Sequence, residues 1–190
     1  MKKRLLGPCV TFFPQPATLI ASRDADGQPN LMMASWAGIV SKTPPTMAVS
    51  LHHSRHTSRN ILQTKKFSVN LVPAKLAVEA DFCGIASGRD LDKAAVTGLH
   101  VEDSSNGTPL LTESPLSVEC RFSRVVTLGD YQLTLGEIIE IHADEAAFDA
   151  EGHADALVFD PLVYLGGLKE YWSLGKKEAD AYRAGLKFKT

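Results

Sequence analysis

The sequence predicts a mainly β protein, an antiparallel barrel with short flanking helices. Three observations carry that reading. Both halves of the chain are written as short apolar runs broken by turn residues, and two pairs of runs are joined by the turn signals Asp24-Ala-Asp-Gly27 and Gly129-Asp130. Nowhere do strands alternate with helices long enough to build a parallel sheet.

In order, Ala17 to Ser22 has strand content, Asp24 to Gly27 turns the chain, and Pro29 to Ala37 supplies the returning run of a hairpin. The prolines of Ser41-Lys-Thr-Pro-Pro45 fix a loop, and Thr46-Met-Ala-Val-Ser-Leu51 then reads as a buried strand. The polar stretch from His52 to Thr57 is expected as a loop. A hydroxyl at Thr57 or Ser58 can cap a helix carrying Arg59-Asn-Ile-Leu-Gln-Thr64. Phe67-Ser-Val-Asn-Leu-Val72 alternates like a strand and stops at Pro73, and Lys75 to Cys83 has helical spacing with Gly84 placed to end it. Leu116 to Val126 and Tyr131 to His142 alternate on either side of Gly129-Asp130, a second hairpin. Asp155 to Tyr164 includes a short apolar strand, and Lys169 to Lys189 reads as a polar, helix-tolerant tail with Tyr171 and Trp172. With no internal repeat or linker, one domain over residues 1–190 is expected.

Composition narrows the function. A net charge of -2 offers no basic face for a phosphate backbone, which argues against nucleic-acid binding. The three cysteines, Cys9, Cys83 and Cys120, form no CxxC pair and no ligand cluster, so a reducing, cytoplasmic setting without structural zinc is expected. Gly7-Pro8 and Pro14-Gln-Pro16 interrupt any apolar run near the start, so neither a signal peptide nor a membrane helix is expected.

No GxSxG, HExxH, GxGxxG or P-loop is present. The dense polar cluster is His52-His53-Ser54-Arg55-His56-Thr57-Ser58-Arg59-Asn60, at a strand-to-helix junction. Hydroxyls, guanidinium groups and free helix-start amides suit a phosphate, while a solvated loop with helix capping is the plain alternative. The histidine spacing resembles no metal site. A second feature is Pro29-Asn-Leu-Met-Met-Ala-Ser-Trp36-Ala-Gly38, where small side chains let a flat ring approach the backbone and Trp36 either covers it or belongs to the core.

The succession of the Ala-Thr-Leu-Ile strand, Asn30 with Ala34-Ser35-Trp36, the Ser41–Pro45 loop, Ser50 to Asn60 with Thr57, Phe67-Ser-Val-Asn70 and Asp92-Lys93 resembles the flavin reductase-like, FMN-binding split-barrel family, and within it the flavoredoxins. The likeness runs from about Pro16 to Tyr164. It implies a split β-barrel that holds FMN non-covalently at a homodimer interface. Asn30, Ala34, Ser35 and Trp36 would border the ring and ribityl chain, and Ser50, His53, Ser54, Arg55 and Thr57 would form the phosphate side. Lys93 would add a cation. Cys83 and Gly84 lie in a segment that approaches the flavin in relatives, although Cys83 reads equally as a buried small hydrophobe. Relatives also tend to place a histidine after the Gly-Asp turn, where this chain has Gln132 beside Tyr131; Tyr164 matches their C-terminal aromatic. The activity implied is oxidoreduction: electrons from NAD(P)H or a protein donor pass through FMN to a small-molecule or protein acceptor. A split-barrel dimer that stores flavin, or binds another small ligand without turnover, is the alternative.

Overall fold

The computed structural model describes residues 2–10 and 13–189. Its strands are β1 (Pro14–Pro16), β2 (Thr18–Arg23), β3 (Pro29–Ala34), β4 (Ala37–Lys42), β5 (Pro45–His52), β6 (Lys66–Leu71), β7 (Val101–Asp103), β8 (Pro109–Leu111), β9 (Leu116–Leu128), β10 (Tyr131–Ala143), β11 (Leu162–Leu165) and β12 (Glu170–Ser173). Four short helices join them: α1 (His56–Thr64), α2 (Ala77–Ile85), α3 (Lys93–Thr97) and α4 (Ala156–Phe159). A seven-stranded sheet in the order β3-β2-β6-β9-β10-β5-β4 is the framework, with β1-β11-β12 and β7-β8 as smaller sheets. The pairings among the described strands are antiparallel, as the hairpin pattern predicts.

Strict alternation divides the apolar residues of the large sheet between two cores. Ile20, Met32, Val49, Leu51, Phe67, Val69, Val118 and Cys120 fill one side, and Ile61 of α1 packs into the same cluster. Leu19, Ala21 and Leu31 face the other way, onto Ala80 and Cys83 of α2, Ala94 of α3 and Leu162 of β11. Bulges at Leu135/Gly136 and Ile138/Glu140 bend the long β9–β10 hairpin. Gly136 makes that curvature possible, because a Cβ there would lie 2.6 Å from Cζ of Phe67. On the face of β9 opposite Val118 and Cys120, the buried Glu119 carboxylate accepts from Ser104 Oγ (3.0 Å) and pairs with His142 Nε2 (3.0 Å), which fastens the β7–β8 turn to β9 and β10.

Several local expectations change. Ser41 to Pro45 is a strand end and a tight turn, because β4 and β5 form a hairpin with its turn at Thr43-Pro44. The helix after β5 begins at His56 with Arg55 as N-cap, and no side chain caps it among the described residues; the Thr57 hydroxyl is engaged by Asn30 instead. Gly84 lies inside α2, which runs on to Ile85, because Gly84 packs closely on Met33 and needs no left-handed turn. The C-terminal segment is not helix throughout: Glu170–Ser173 pairs with β11, and Tyr171 donates its hydroxyl to Asp81 (2.9 Å) of α2. No helix among the described residues is long and apolar enough to cross a membrane.

Candidate functional site

Two adjoining hollows open where β3, β5 and β10 meet the start of α1. The larger, about 280 Å³, is bounded by Asn30 and Met32, by Ser54 to Thr57, by residues 86–89 of the strap that follows α2, and by Lys93. The smaller, about 160 Å³, is bounded by Met32 to Trp36, Ser50 and Leu51. Met32, His52, Arg55 and Tyr131 border both, so the two form one cleft with a cationic and an aromatic compartment.

The cationic compartment is built from donors. Arg55, Arg89 and Lys93 line it, and no carboxylate does among the described residues. Lys93 is 3% exposed; its ammonium donates to the carbonyl oxygens of Cys83 (3.0 Å) and Ala86 (3.4 Å) at the end of α2. Those carbonyls favour a cation but do not neutralise it. Burial lowers the Lys93 pKa, the neighbouring Cys83 opposes that shift, and Arg55 adds to it. Burial likewise lowers the His56 pKa; Asp24 opposes this, while Arg89, Arg59 and Lys93 reinforce it.

Asn30 Nδ2 donates to Thr57 Oγ1 (2.8 Å) and, more weakly, to Ser22 Oγ (3.4 Å). Because a lone pair of Thr57 is thereby filled, its hydroxyl proton is left for a partner in the cleft. Ser58 and Arg59 both donate to the Arg55 carbonyl, which leaves the His56 and Thr57 amides of the first turn without an intrahelical acceptor. Asn30 Oδ1 and His56 Nδ1 are buried with no partner among the described residues. Gly88 sits so close that a Cβ there would be 2.0 Å from Asn30 Oδ1. Orphaned polar atoms, a free hydroxyl, free amides and unneutralised cations together suit an anion that also carries hydroxyl groups.

The aromatic compartment has a different floor. The Trp36 and Tyr131 rings lie 5.1 Å apart, and the His52 ring meets Tyr131 edge-on at 5.5 Å. The antiparallel register sets Tyr131 opposite His52 and Gln132 opposite Leu51, so alternation turns Gln132 to the other side of the sheet. Tyr131 therefore borders the cleft, and the imidazole there comes from β5. His52 Nδ1 accepts from the Ser54 amide (3.2 Å), which puts the proton of the neutral ring on Nε2. Ala34 and Ser35 leave the wall low, and Ser35 Oγ donates to Gln15 (3.2 Å).

Of the residues singled out in the sequence, Asn30, Ala34, Ser35, Trp36, Ser50, Ser54, Arg55, Thr57 and Lys93 come together on this cleft. His53, Cys83, Gly84 and Tyr164 lie outside its lining. His53 stacks on His52 at 4.5 Å and donates from Nδ1 to the Asp130 carbonyl (2.9 Å). Cys83 is in the core, where burial pushes its thiol up to about 11, so at neutral pH it packs as an uncharged group. Tyr164 meets the Tyr171 ring at a 42° tilt, 5.3 Å between centroids, in the small sheet. The polar cluster and the small-residue segment took in His52, His56 and Met32 without giving them individual roles, Tyr131 was named only as the neighbour of Gln132, and the strap was not singled out.

A structure of flavoredoxin from Desulfovibrio vulgaris (Miyazaki F) superposes with a TM-score of 0.91 and 31% identity, covering 97% of this chain and 100% of that one. Flavoredoxin from Methanosarcina acetivorans gives 0.90 and 27% identity, covering 99% of this chain and 100% of that one. A protein of Aeropyrum pernix is 32% identical over 151 residues, 78% of this chain, which spans only 56% of that relative's length. The family described as Flavin reductase like domain matches residues 10–173, and with the split-barrel fold and the cleft above, this chain belongs to that flavin-binding family.

Proposed function

We propose that the chain is an FMN-dependent oxidoreductase that works as a homodimer, taking electrons from NAD(P)H or a protein donor and passing them to a second acceptor. The observation that carries this reading is the joined cleft: an acid-free cationic end holding a buried lysine, continuous with a shallow end walled by Trp36 and Tyr131. The ribityl phosphate of FMN fits the first end and its ring the second. When bound, the flavin supplies the two-electron chemistry.

The protein's part is to bind and orient. Lys93, Arg55 and Arg89 neutralise the phosphate charge, Thr57 and the His56 and Thr57 amides donate to its oxygens, and Asn30 Oδ1 accepts from a ribityl hydroxyl. Trp36 and Tyr131 flank the ring, and His52, which borders both hollows, stands at the join between the two ends. Dimerisation belongs to the same reading: Ile39 and Val40 on edge strand β4 are 67% and 57% exposed, an apolar edge that a second copy would cover.

The test is an absorbance spectrum of protein purified without added flavin, then chromatography of the released ligand, an anaerobic NAD(P)H titration and size-exclusion chromatography with light scattering. About one FMN per chain, bleached by NAD(P)H, is expected. A colourless protein that takes up no FMN would sink the reading, and a flavin-loaded monomer would remove the dimer from it.

A further inference from the structure

We propose that Ser22 and Asn60, buried behind the cleft, are positioning residues: they aim the Asn30 carboxamide so that its oxygen faces the ligand while its nitrogen holds Thr57. The inference rests on the flavin reading above and adds to it two residues that touch no ligand.

Four polar side chains close a ring. Ser22 and Asn30 stand opposite each other in the β2–β3 pairing, and Thr57 and Asn60, three residues apart, share a face of α1. Asn30 Nδ2 donates to Thr57 Oγ1 (2.8 Å) and to Ser22 Oγ (3.4 Å), and Asn60 Nδ2 donates to the same Ser22 oxygen (3.3 Å). The ring thus runs from α1 through β3 and β2 and back to α1. Ser22 and Asn60 are fully buried, and Asn30 and Thr57 nearly so. Neither Ser22 nor Asn60 borders either hollow, so their influence on a ligand passes through the other two.

Rotation of a carboxamide about its Cβ–Cγ bond has only broad preferences, and a single hydrogen bond leaves the group free to swing. Asn30 spends both Nδ2 protons, one on α1 and one on β2, and two anchors fix its plane. The oxygen is then aimed away from both anchors, at the Gly88 wall of the larger hollow, where no group of the described residues bonds it. Removing the Ser22 hydroxyl releases the swing. Removing Asn60 takes away only the brace on Ser22, one bond further from the ligand, and should act in the same direction but less.

Titration of FMN, and of lumiflavin, which has the same ring without the ribityl chain, into flavin-free wild type, Ser22→Ala, Asn60→Ala, Asn30→Ala and the double variant Ser22→Ala/Asn30→Ala tests this below the melting temperature of each protein. Ser22→Ala should weaken FMN by about fivefold, the size of one neutral hydrogen bond, and Asn60→Ala by about twofold, with lumiflavin unmoved in both. Once Asn30 is already alanine, losing Ser22 should cost nothing further. A Ser22 loss that adds in full to the Asn30 loss, one that weakens FMN and lumiflavin alike, or one that lowers the melting temperature while FMN binds as in wild type makes the ring structural and overturns the inference. Should Ser22→Ala fail to fold, Asn60→Ala decides alone, and an unchanged ratio of FMN to lumiflavin affinity counts against the proposal. A wild type that takes up no FMN overturns the flavin reading itself, a distinct result.

Discussion

The chain buries two charges in opposite ways. Glu119, 1% exposed on β9, has its hydrogen-bond partners in place: His142, and Ser104 in the turn that follows β7. Lys93, 3% exposed beside the cleft, has two carbonyls, no carboxylate, and two further cations bordering the same hollow. A buried charge with its partners holds structure together; one whose surroundings repeat its own sign costs stability until an anion arrives. The first belongs to the fold and the second to the ligand, so substitutions should separate stability from binding.

The largest effect is expected at the satisfied charge. Glu119→Gln should lower unfolding free energy by about 2–3 kcal/mol at neutral pH, read by denaturant titration, with FMN affinity unmoved. Burial raises the Glu119 pKa, but hydrogen bonds from His142, Thr108, Ser104 and Asn106 outweigh it and leave the group below 4.5. The folded pKa is therefore depressed, and the stabilisation is present above the unfolded value and lost as pH falls through the folded one. The gap between wild type and Glu119→Gln should close as the titration is repeated below about pH 4.5; a constant gap would detach the carboxylate's charge from its role.

Lys93→Met comes next. It should weaken FMN binding by about thirtyfold, roughly 2 kcal/mol, while the flavin-free protein melts no lower than wild type. A drop in the melting temperature with affinity preserved would make Lys93 structural and erase the contrast. Thr57→Ala should cost about tenfold in FMN affinity, and Thr57→Ser should restore most of it, because the hydroxyl proton rather than the methyl is what the ligand needs. The smallest effect is expected at Arg55, whose exposed guanidinium is screened by solvent: Arg55→Gln should cost about twofold in dilute buffer and nothing measurable in strong salt. An Arg55 loss as large as that at Lys93 would mean that burial does not set the ranking.

The same division governs what could be read from the sequence. Both hairpins were legible because alternation and turn residues are local signals, as in Leu116 to His142. Strand β4 was not, because Ile39 and Val40 are apolar yet exposed and two prolines follow close behind. Strand β12 was hidden because Glu170–Ser173 is short and becomes a strand only by pairing with β11. At the site, the polar cluster and the small-residue segment could be read as motifs. The helix cap could not: Thr57 has the right chemistry at about the right place, but Asn30 reaches it from a distant strand. The strap carries no motif, since Ser87, Gly88 and Arg89 gain meaning only from what they touch.

Gly88 and Asn30 also constrain the order in which this site could change. A side chain at position 88 would meet the Asn30 carboxamide first, with His56 Cδ2 at 3.3 Å beside it, so positions 88 and 30 are epistatic: neither substitution has a fixed cost, and the order decides whether an intermediate survives. Asn30 would have to shrink first, and in doing so it would release the Thr57 hydroxyl that it now orients. Every route to a bulkier strap therefore passes through a sequence with a weakened anion grip, which makes this corner of the cleft hard to leave by single steps.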